Sequence, residues 1–277
     1  MKRITLSILT LSLAMNSMAQ DAADKEVQAG LVFGSGLAFQ KMGTNYMASN
    51  GTGTDLTIGA NATFSLTETI GFCTGLEFDF ETLKYKSAKY QDNGVYYYYI
   101  DKDILSLSDY DPNNANHNLF ELDTRRQKAV YLTIPTMMVF RTNFIGYFRY
   151  FGKFGLRNSF LLKSSITDTG SDLTPEDPMG IASAATLDNM SASGEMFFFK
   201  SAVGLSGGAE WNFSGSTSLV AEIGYYYGFT PIHTAKNVDK GNNYYFATAP
   251  NNGAGNDTRF NNKATQSQLQ LKISILF

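Results

Sequence analysis

The chain has 277 residues, 43% of them hydrophobic and 14% aromatic but only 17% charged, with a formal net charge of −3. One Cys excludes an intramolecular disulfide framework and a Cys-based zinc cluster, and two His leave little material for metal chemistry. No Lys/Arg cluster stands out along the chain, so no nucleic acid is expected as a partner.

The N-terminus reads as a targeting segment. Lys2 and Arg3 form a positive n-region, Ile4 to Met15 a short apolar run, and Ser17-Met18-Ala19 a small-residue cleavage site. The expectation is a cleaved secretory signal over residues 1–19 and a short periplasmic segment over 20–26. No Cys follows the cleavage point, so no lipid anchor is expected. Beyond residue 20 no stretch approaches about 18 consecutive apolar residues, which excludes a membrane-crossing helix.

From Val27 onward the chain alternates with period two, the signature of strands whose successive side chains face opposite sides. Val27–Met42 carries Leu31, Phe33, Leu37 and Phe39 on one face and Gly30, Gly34, Gly36 and Gln40 on the other. Leu56–Thr67 places Leu56, Ile58, Ala60, Phe64 and Leu66 against Thr57, Gly59, Asn61 and Thr63. Ile70–Glu81 opposes Phe72, Leu76, Phe78 and Phe80 to Cys73, Glu77, Asp79 and Glu81. Val130–Phe140 follows, then Phe148–Leu162 with Arg149, Lys153, Arg157 and Lys163 on its polar face. Phe197–Phe213, with Lys200 and Glu210 on the polar face, precedes Leu219–Phe229, with Glu222. The last strand sets Leu269, Leu271, Ile273, Ile275 and Phe277 against Gln268, Gln270 and Lys272.

Eight such strands alternate between two kinds of connection. Residues 67–69, 142–146 and 214–216 are short turns, whereas 43–54, 84–128, 164–195 and 233–263 are long and polar. That asymmetry predicts an all-β, eight-stranded, antiparallel up-and-down transmembrane barrel over 27–277, with short periplasmic turns and long extracellular loops. A ten-stranded barrel, drawing an extra hairpin from 84–128, is the nearest competitor. A soluble sandwich also alternates, but aromatic placement argues against it. Phe64, Phe72, Phe140, Phe148, Trp211, Phe213 and Phe277 sit on apolar faces near the short turns. Phe39, Phe80, Phe160, Phe197, Tyr227 and Phe229 sit near the long loops. Two rings of this kind are the interfacial girdles of an outer-membrane barrel.

The strand Tyr131-Leu132-Thr133-Ile134-Pro135, the strand Arg149-Tyr150-Phe151-Gly152-Lys153-Phe154-Gly155 and the terminal Phe277 resemble the PorT-like outer-membrane β-barrel family of Bacteroidota. The resemblance covers about Val27 to Phe277. It implies a cell outer-membrane location and, through Phe277, recognition by the barrel-assembly machinery. It implies little about activity.

An eight-stranded barrel is just wide enough for side chains to fill it. The expected inward charges are Glu77, Asp79, Glu81, Glu210 and Glu222 against Lys153, Arg157, Lys200 and Lys272, which predicts an ionic network plugging the lumen. Glu222 and Lys272 lie at similar depth on adjacent strands and are expected to pair. Tyr96, Tyr97, Tyr98 and Tyr99 either extend a strand into a hairpin above the membrane or form a sugar- or partner-binding platform, with the hairpin favoured. His117 and His233 fall in long polar loops and are expected to be solvated. Cys73 reads as a small lumen filler. Asp109-x-Asp111-x-Asn113 begins like a calcium loop but has Asn114 where Gly belongs and Phe120 where Glu belongs. Gly34-x-Gly36 opens no helix, so a dinucleotide reading fails.

No catalytic residue, metal or cofactor is expected. The expected partners are outer-membrane lipid, the barrel-assembly machinery and an extracellular ligand met by the loops. The functional expectation is a structural or loop-binding barrel with a plugged lumen. The alternative is a narrow channel for small solutes.

Overall fold

A computed structural model describes residues 27–277 apart from 91–92, 107, 112, 115, 174–182, 193, 216, 234–243 and 248–258. The expected signal and periplasmic segments, 1–19 and 20–26, lie outside the described residues.

Eight long strands form the ring: β1 Val27–Met42, β3 Gly53–Ser65, β4 Ile70–Ser87, β7 Asn118–Arg141, β8 Phe148–Leu173, β10 Phe199–Ser214, β11 Thr217–Gly228 and β14 Ala264–Leu276. All pair antiparallel, in the order β1-β3-β4-β7-β8-β10-β11-β14, and β14 closes on β1. The seam is continuous from Gly30↔Leu276 to Met42↔Ala264. Closure leaves no sheet edge inside the membrane, which lipid demands because no water is there to satisfy free backbone groups. No α-helix occurs among the described residues.

Six short strands lie above the ring: β2 Met47–Ser49, β5 Tyr96–Ile100, β6 Asp103–Ile104, β9 Ser183–Met190, β12 Tyr245–Phe246 and β13 Arg259–Phe260. β4 leaves β7 after the pair Lys86↔Thr124, and β5 takes over that edge from Glu121↔Tyr96 to Asn118↔Tyr99. β12 and β13 continue outward from β5, while β9 lines the other side of the hairpin on β8. The ring therefore has eight strands, and the extra hairpin sits above it. Much of the expected loop regions 84–128 and 164–195 is strand. β7 and β8 reach 24 and 26 residues, well beyond the 9–11 or so needed to cross the hydrocarbon.

The side chains explain the orientation. Leu31, Phe33, Phe78, Leu271 and Ile273 point outward and remain about half exposed, so they face lipid. Their neighbours Gly34, Glu77, Asp79, Gln270 and Lys272 point inward. Both aromatic rings lie on the outer surface, with Phe148 stacked on Trp211 in the lower one. Gly146 supplies the φ of 65° that the tight periplasmic turn into β8 requires.

One expected register fails. Strict alternation predicts Lys163 on the same inner face as Arg157. The β7–β8 register shifts between Val130↔Lys163 and Tyr131↔Leu161, leaving Leu162 as an extra residue. This bulge reverses the parity of β8. Lys163 consequently faces outward, while Ile166 and Asp168 turn in.

Candidate functional site

The lumen is filled by charge from the periplasmic end upward. At the bottom, Arg149 on β8 pairs with Glu210, its direct neighbour on β10. Arg141 donates to Gln28 at 3.0 Å and to Ser65 at 2.8 Å. Higher up, Lys153 reaches Glu222 at 2.6 Å. The central layer converges on β4. Arg157 donates to Glu77 at 2.7 Å and to Asp79 at 2.9 Å, and Lys272 reaches Glu77 at 2.9 Å. Thr57 and Thr133 donate their hydroxyls to Asp79. Tyr226 lies under the Arg157 guanidinium at 4.9 Å. Gly204 makes that possible, because a Cβ there would run into the Tyr226 ring. Above this layer Lys200 pairs with Glu81, and Gln266 and Gln268 donate to the same carboxylate.

All nine charges expected in the lumen project into it. The partner choice differs from expectation at one place. Glu222 and Lys272 are direct cross-strand neighbours, yet Lys272 pairs with Glu77 and Glu222 with Lys153. The cause is curvature. In a narrow closed ring a long side chain reaches across the lumen as readily as along the wall. Arg149, expected on the polar face of its strand but not among the inward charges, also joins the network, as do Asp55 and Arg141. Asp55 accepts from Gln268 and Gln270 rather than from a cation.

Cavities lined by the described residues include one of about 310 and one of about 460 Å³, their open mouths included. The lower is lined by Gln28, Cys73, Arg141 and Lys153, and the upper by Arg157, Lys200 and Gln266. They share no lining residue, and the Glu77–Lys272 pair belongs to neither.

Above the membrane the interior changes character. Leu83, Tyr85, Tyr97, Phe120, Leu122, Ile166, Tyr245 and Phe260 form an apolar and aromatic core over the mouth of the barrel. At its centre Arg125 is fully buried and pairs with Asp168 through two bonds and with Glu195 at 3.5 Å. The rings of Tyr245, Tyr97 and Tyr85 surround its guanidinium at 5.1, 5.4 and 6.0 Å. Burial opposes the Arg125 charge, but Asp168, Tyr245 and Glu195 hold its pKa well above the ordinary value. Burial pushes the phenols of Tyr97 and Tyr245 up.

Several loop expectations are corrected here. Tyr97, Tyr98 and Tyr99 are buried and Tyr96 is half-buried against Phe246, so these tyrosines do not form an exposed platform. They belong to the favoured hairpin, β5–β6, where Tyr97 and Tyr99 join the core of Leu83, Phe120 and Ile166, while Tyr98 packs with Leu119, Leu173 and Phe246 in a second apolar cluster. His233 is buried on Gln127 at 3.0 Å instead of solvated, and burial pushes its pKa down. His117 is buried against Tyr110 and Asn114. Cys73 packs with Met137, Val139 and Tyr226. Asp111 accepts from the Asn113 amide and Asp109 from the Ser106 hydroxyl. Among the described residues no group of three or more His, Cys, Asp and Glu is placed to hold a metal.

A family model described as an outer membrane protein beta-barrel domain matches residues 18–234. The chain belongs to that family. As an outer membrane protein beta-barrel domain it resides in the cell outer membrane, with short turns on the periplasmic side and the dome outside. Solved structures similar to it include Ail, the attachment invasion locus protein of Yersinia pestis, at 9% identity and a TM-score of 0.35, covering 91% of this chain and all of Ail. Neisserial surface protein A is similar at 10% identity and a TM-score of 0.32, covering 91% of this chain and 98% of that one. The outer membrane protease OmpT of Escherichia coli is similar at 10% identity and a TM-score of 0.31, covering 93% and 98%. No curated protein matches the chain.

Proposed function

We propose that this outer-membrane barrel is a non-conducting scaffold that holds an extramembrane β-structure for recognition at the cell surface. The supporting observation is the sequence of paired charges from Arg149–Glu210 to Lys200–Glu81, capped by the Arg125 dome. Ion flow needs a continuous wet path. Here the central guanidinium and carboxylates satisfy one another in the space such a path would occupy, and the two cavities lie on either side of them. On this reading the partners are outer-membrane lipid, the barrel-assembly machinery acting through Phe277, and an extracellular ligand. Catalysis plays no part in the reading. The strands Tyr131–Pro135 and Arg149–Gly155 support a narrower kinship with PorT-like barrels of Bacteroidota.

The experiment is conductance in planar bilayers. The wild-type protein should insert without passing ions beyond the bilayer background. A steady ohmic conductance would instead establish the narrow-channel alternative.

A further inference from the structure

The basic residues at 84–86, 126–128 and 163 are far apart along the sequence, yet the fold assembles them into one cluster. Lys84 and Arg126 are direct cross-strand partners on β4 and β7. Lys86 lies two residues above Lys84 on the same face, and Lys128 two residues below Arg126. The bulge in β8 brings Lys163 to this face beside Val130, diagonal to Lys128. Lys86, Arg126, Lys128 and Lys163 are exposed and Lys84 is partly exposed. Among the described residues none of the five makes an ion pair. The nearby carboxylate of Asp188 accepts from Thr167.

Like charges directly opposite on paired strands repel. Five cations, none of them ion-paired, outnumber the nearby carboxylates of Asp188 and Asp123, and the net positive patch that results favours an external anion. Its height identifies the source. Phe80 and Val130, paired across β4 and β7, mark the top of the lipid-facing band. With about 3.3 Å per residue and a tilt near 40°, Lys128 and Lys86 stand about 5 and 15 Å above that level. This is the headgroup zone of the outer leaflet, and the apolar band below the patch continues directly into the acyl chains.

We propose that Lys84, Lys86, Arg126, Lys128 and Lys163 bind the phosphate groups of a phosphorylated glycolipid in the outer leaflet. The lipid's acyl chains lie against Phe78, Phe80 and Leu132, and its saccharide phosphates bridge the cations of β4, β7 and β8. The lysine stems extend over the apolar surface while their ammonium groups reach the phosphates. Binding converts the Lys84–Arg126 repulsion into shared attraction to one anion.

The test compares thermal unfolding in a neutral detergent with added bisphosphorylated lipid A or the same lipid dephosphorylated. Wild type should gain several degrees from the phosphorylated lipid alone, with the gain reduced when salt rises enough to shorten the Debye length to a few ångströms. A variant combining K84Q, R126Q, K128Q and K163Q should lose the gain, whereas Lys89→Gln with Lys102→Gln should keep it. In detergent without lipid, Arg126→Gln should be at least as stable as wild type. With the phosphorylated lipid it should be less stable. That crossing of signs would not arise from a purely structural role. If the combined variant does not fold, native mass spectrometry of Arg126→Gln and Lys128→Gln counts retained lipid instead, and fewer phosphorylated lipids than on wild type supports the proposal. Equal gains from the two lipids, or undiminished lipid retention by the variants, overturns it. A soluble polyanion such as sucrose octasulfate that stabilises wild type while phosphorylated lipid does not would assign the patch to a glycan and also overturn it.

Discussion

The two halves of this barrel use the same strands to solve opposite problems. On β4, Phe78 and Phe80 face out and Asp79 and Glu81 face in. Four residues later Lys84 faces out, with Leu83 and Tyr85 facing in. β7 makes the same exchange between Leu132 and Lys128. The period of two persists while its polarity inverts. Below the inversion the solvent outside is hydrocarbon, so polar groups must be satisfied within the lumen. Above it the solvent is water, and burying apolar surface inside becomes favourable at roughly 25 cal/mol per Å². The inversion marks the membrane boundary more sharply than either aromatic girdle, because one strand reports both sides.

The two interiors should respond differently to damage. The largest effect is expected in the dome. Arg125→Met leaves Asp168 buried without its cation and should cost about 3–5 kcal/mol in urea unfolding from liposomes. Adding Asp168→Asn should restore part of the loss. A cost under 1 kcal/mol or so would show that water enters the dome freely.

The outer surfaces provide the next contrast. Leu271→Arg places a cation against lipid and should cost about 2–4 kcal/mol if it lies near the midplane. Ser171→Arg, outward on β8 in the water-exposed half beside Glu121, should stay within about 0.5 kcal/mol. Similar costs for both would remove the membrane boundary from where the inversion places it.

A third measurement separates pairing along the wall from pairing across the lumen. A double-mutant cycle on Lys272→Met and Glu77→Gln should show coupling of about 0.5–3 kcal/mol. The cycle with Glu222→Gln should show less, although Glu222 is the direct cross-strand neighbour of Lys272. Equal coupling would mean that the Lys272 ammonium is shared.

The smallest effect is pH dependence of the dome. His233 packs on Gln127 and Tyr85, with Glu195 and Arg125 close by, and burial lowers its pKa. The unfolded chain therefore takes up a proton below about pH 6.5 that the folded dome refuses. Stability is complete above that pH and falls as pH drops toward the lowered folded value, by at most about 1.4 kcal/mol per unit. Hydrogen exchange of β5 and β7 amides between neutral and mildly acidic pH should show it, and His233→Asn should flatten the slope. An unchanged slope in that variant would place the titration elsewhere.

These contrasts also explain what could be read from the sequence. The strands of the membrane half were legible because hydrocarbon requires an uninterrupted apolar face, as on Leu269 to Phe277. Their inward charges followed from parity alone. The upper halves of β7 and β8 were not legible, since Arg125-Arg126-Gln127-Lys128 alternates in and out without alternating in polarity. Arg125, Asp168 and Glu195 therefore looked like loop residues. The steady succession Leu83-Lys84-Tyr85-Lys86 was the available signal, an inverted continuation of β4. Lys163 was misplaced because a one-residue bulge leaves no mark in the sequence. The true partner of Lys272 depends on the diameter of the ring, which no single strand encodes.

The cross-lumen pairs have a consequence for time rather than for equilibrium. Glu77 and Asp79 on β4 meet Arg157 two strands away on β8, and Glu81 meets Lys200 three strands away on β10. In a sheet not yet curled shut, with strands about 4.8 Å apart, these partners would stand about 10 Å or more from each other. The pairs form only as the cylinder closes, so they contribute little to any open precursor or to the speed of assembly. Interactions absent before the barrier is crossed act chiefly on the reverse rate. The plug works as a latch, engaged after insertion and slow to release, and it gives the inserted barrel a long residence in the membrane.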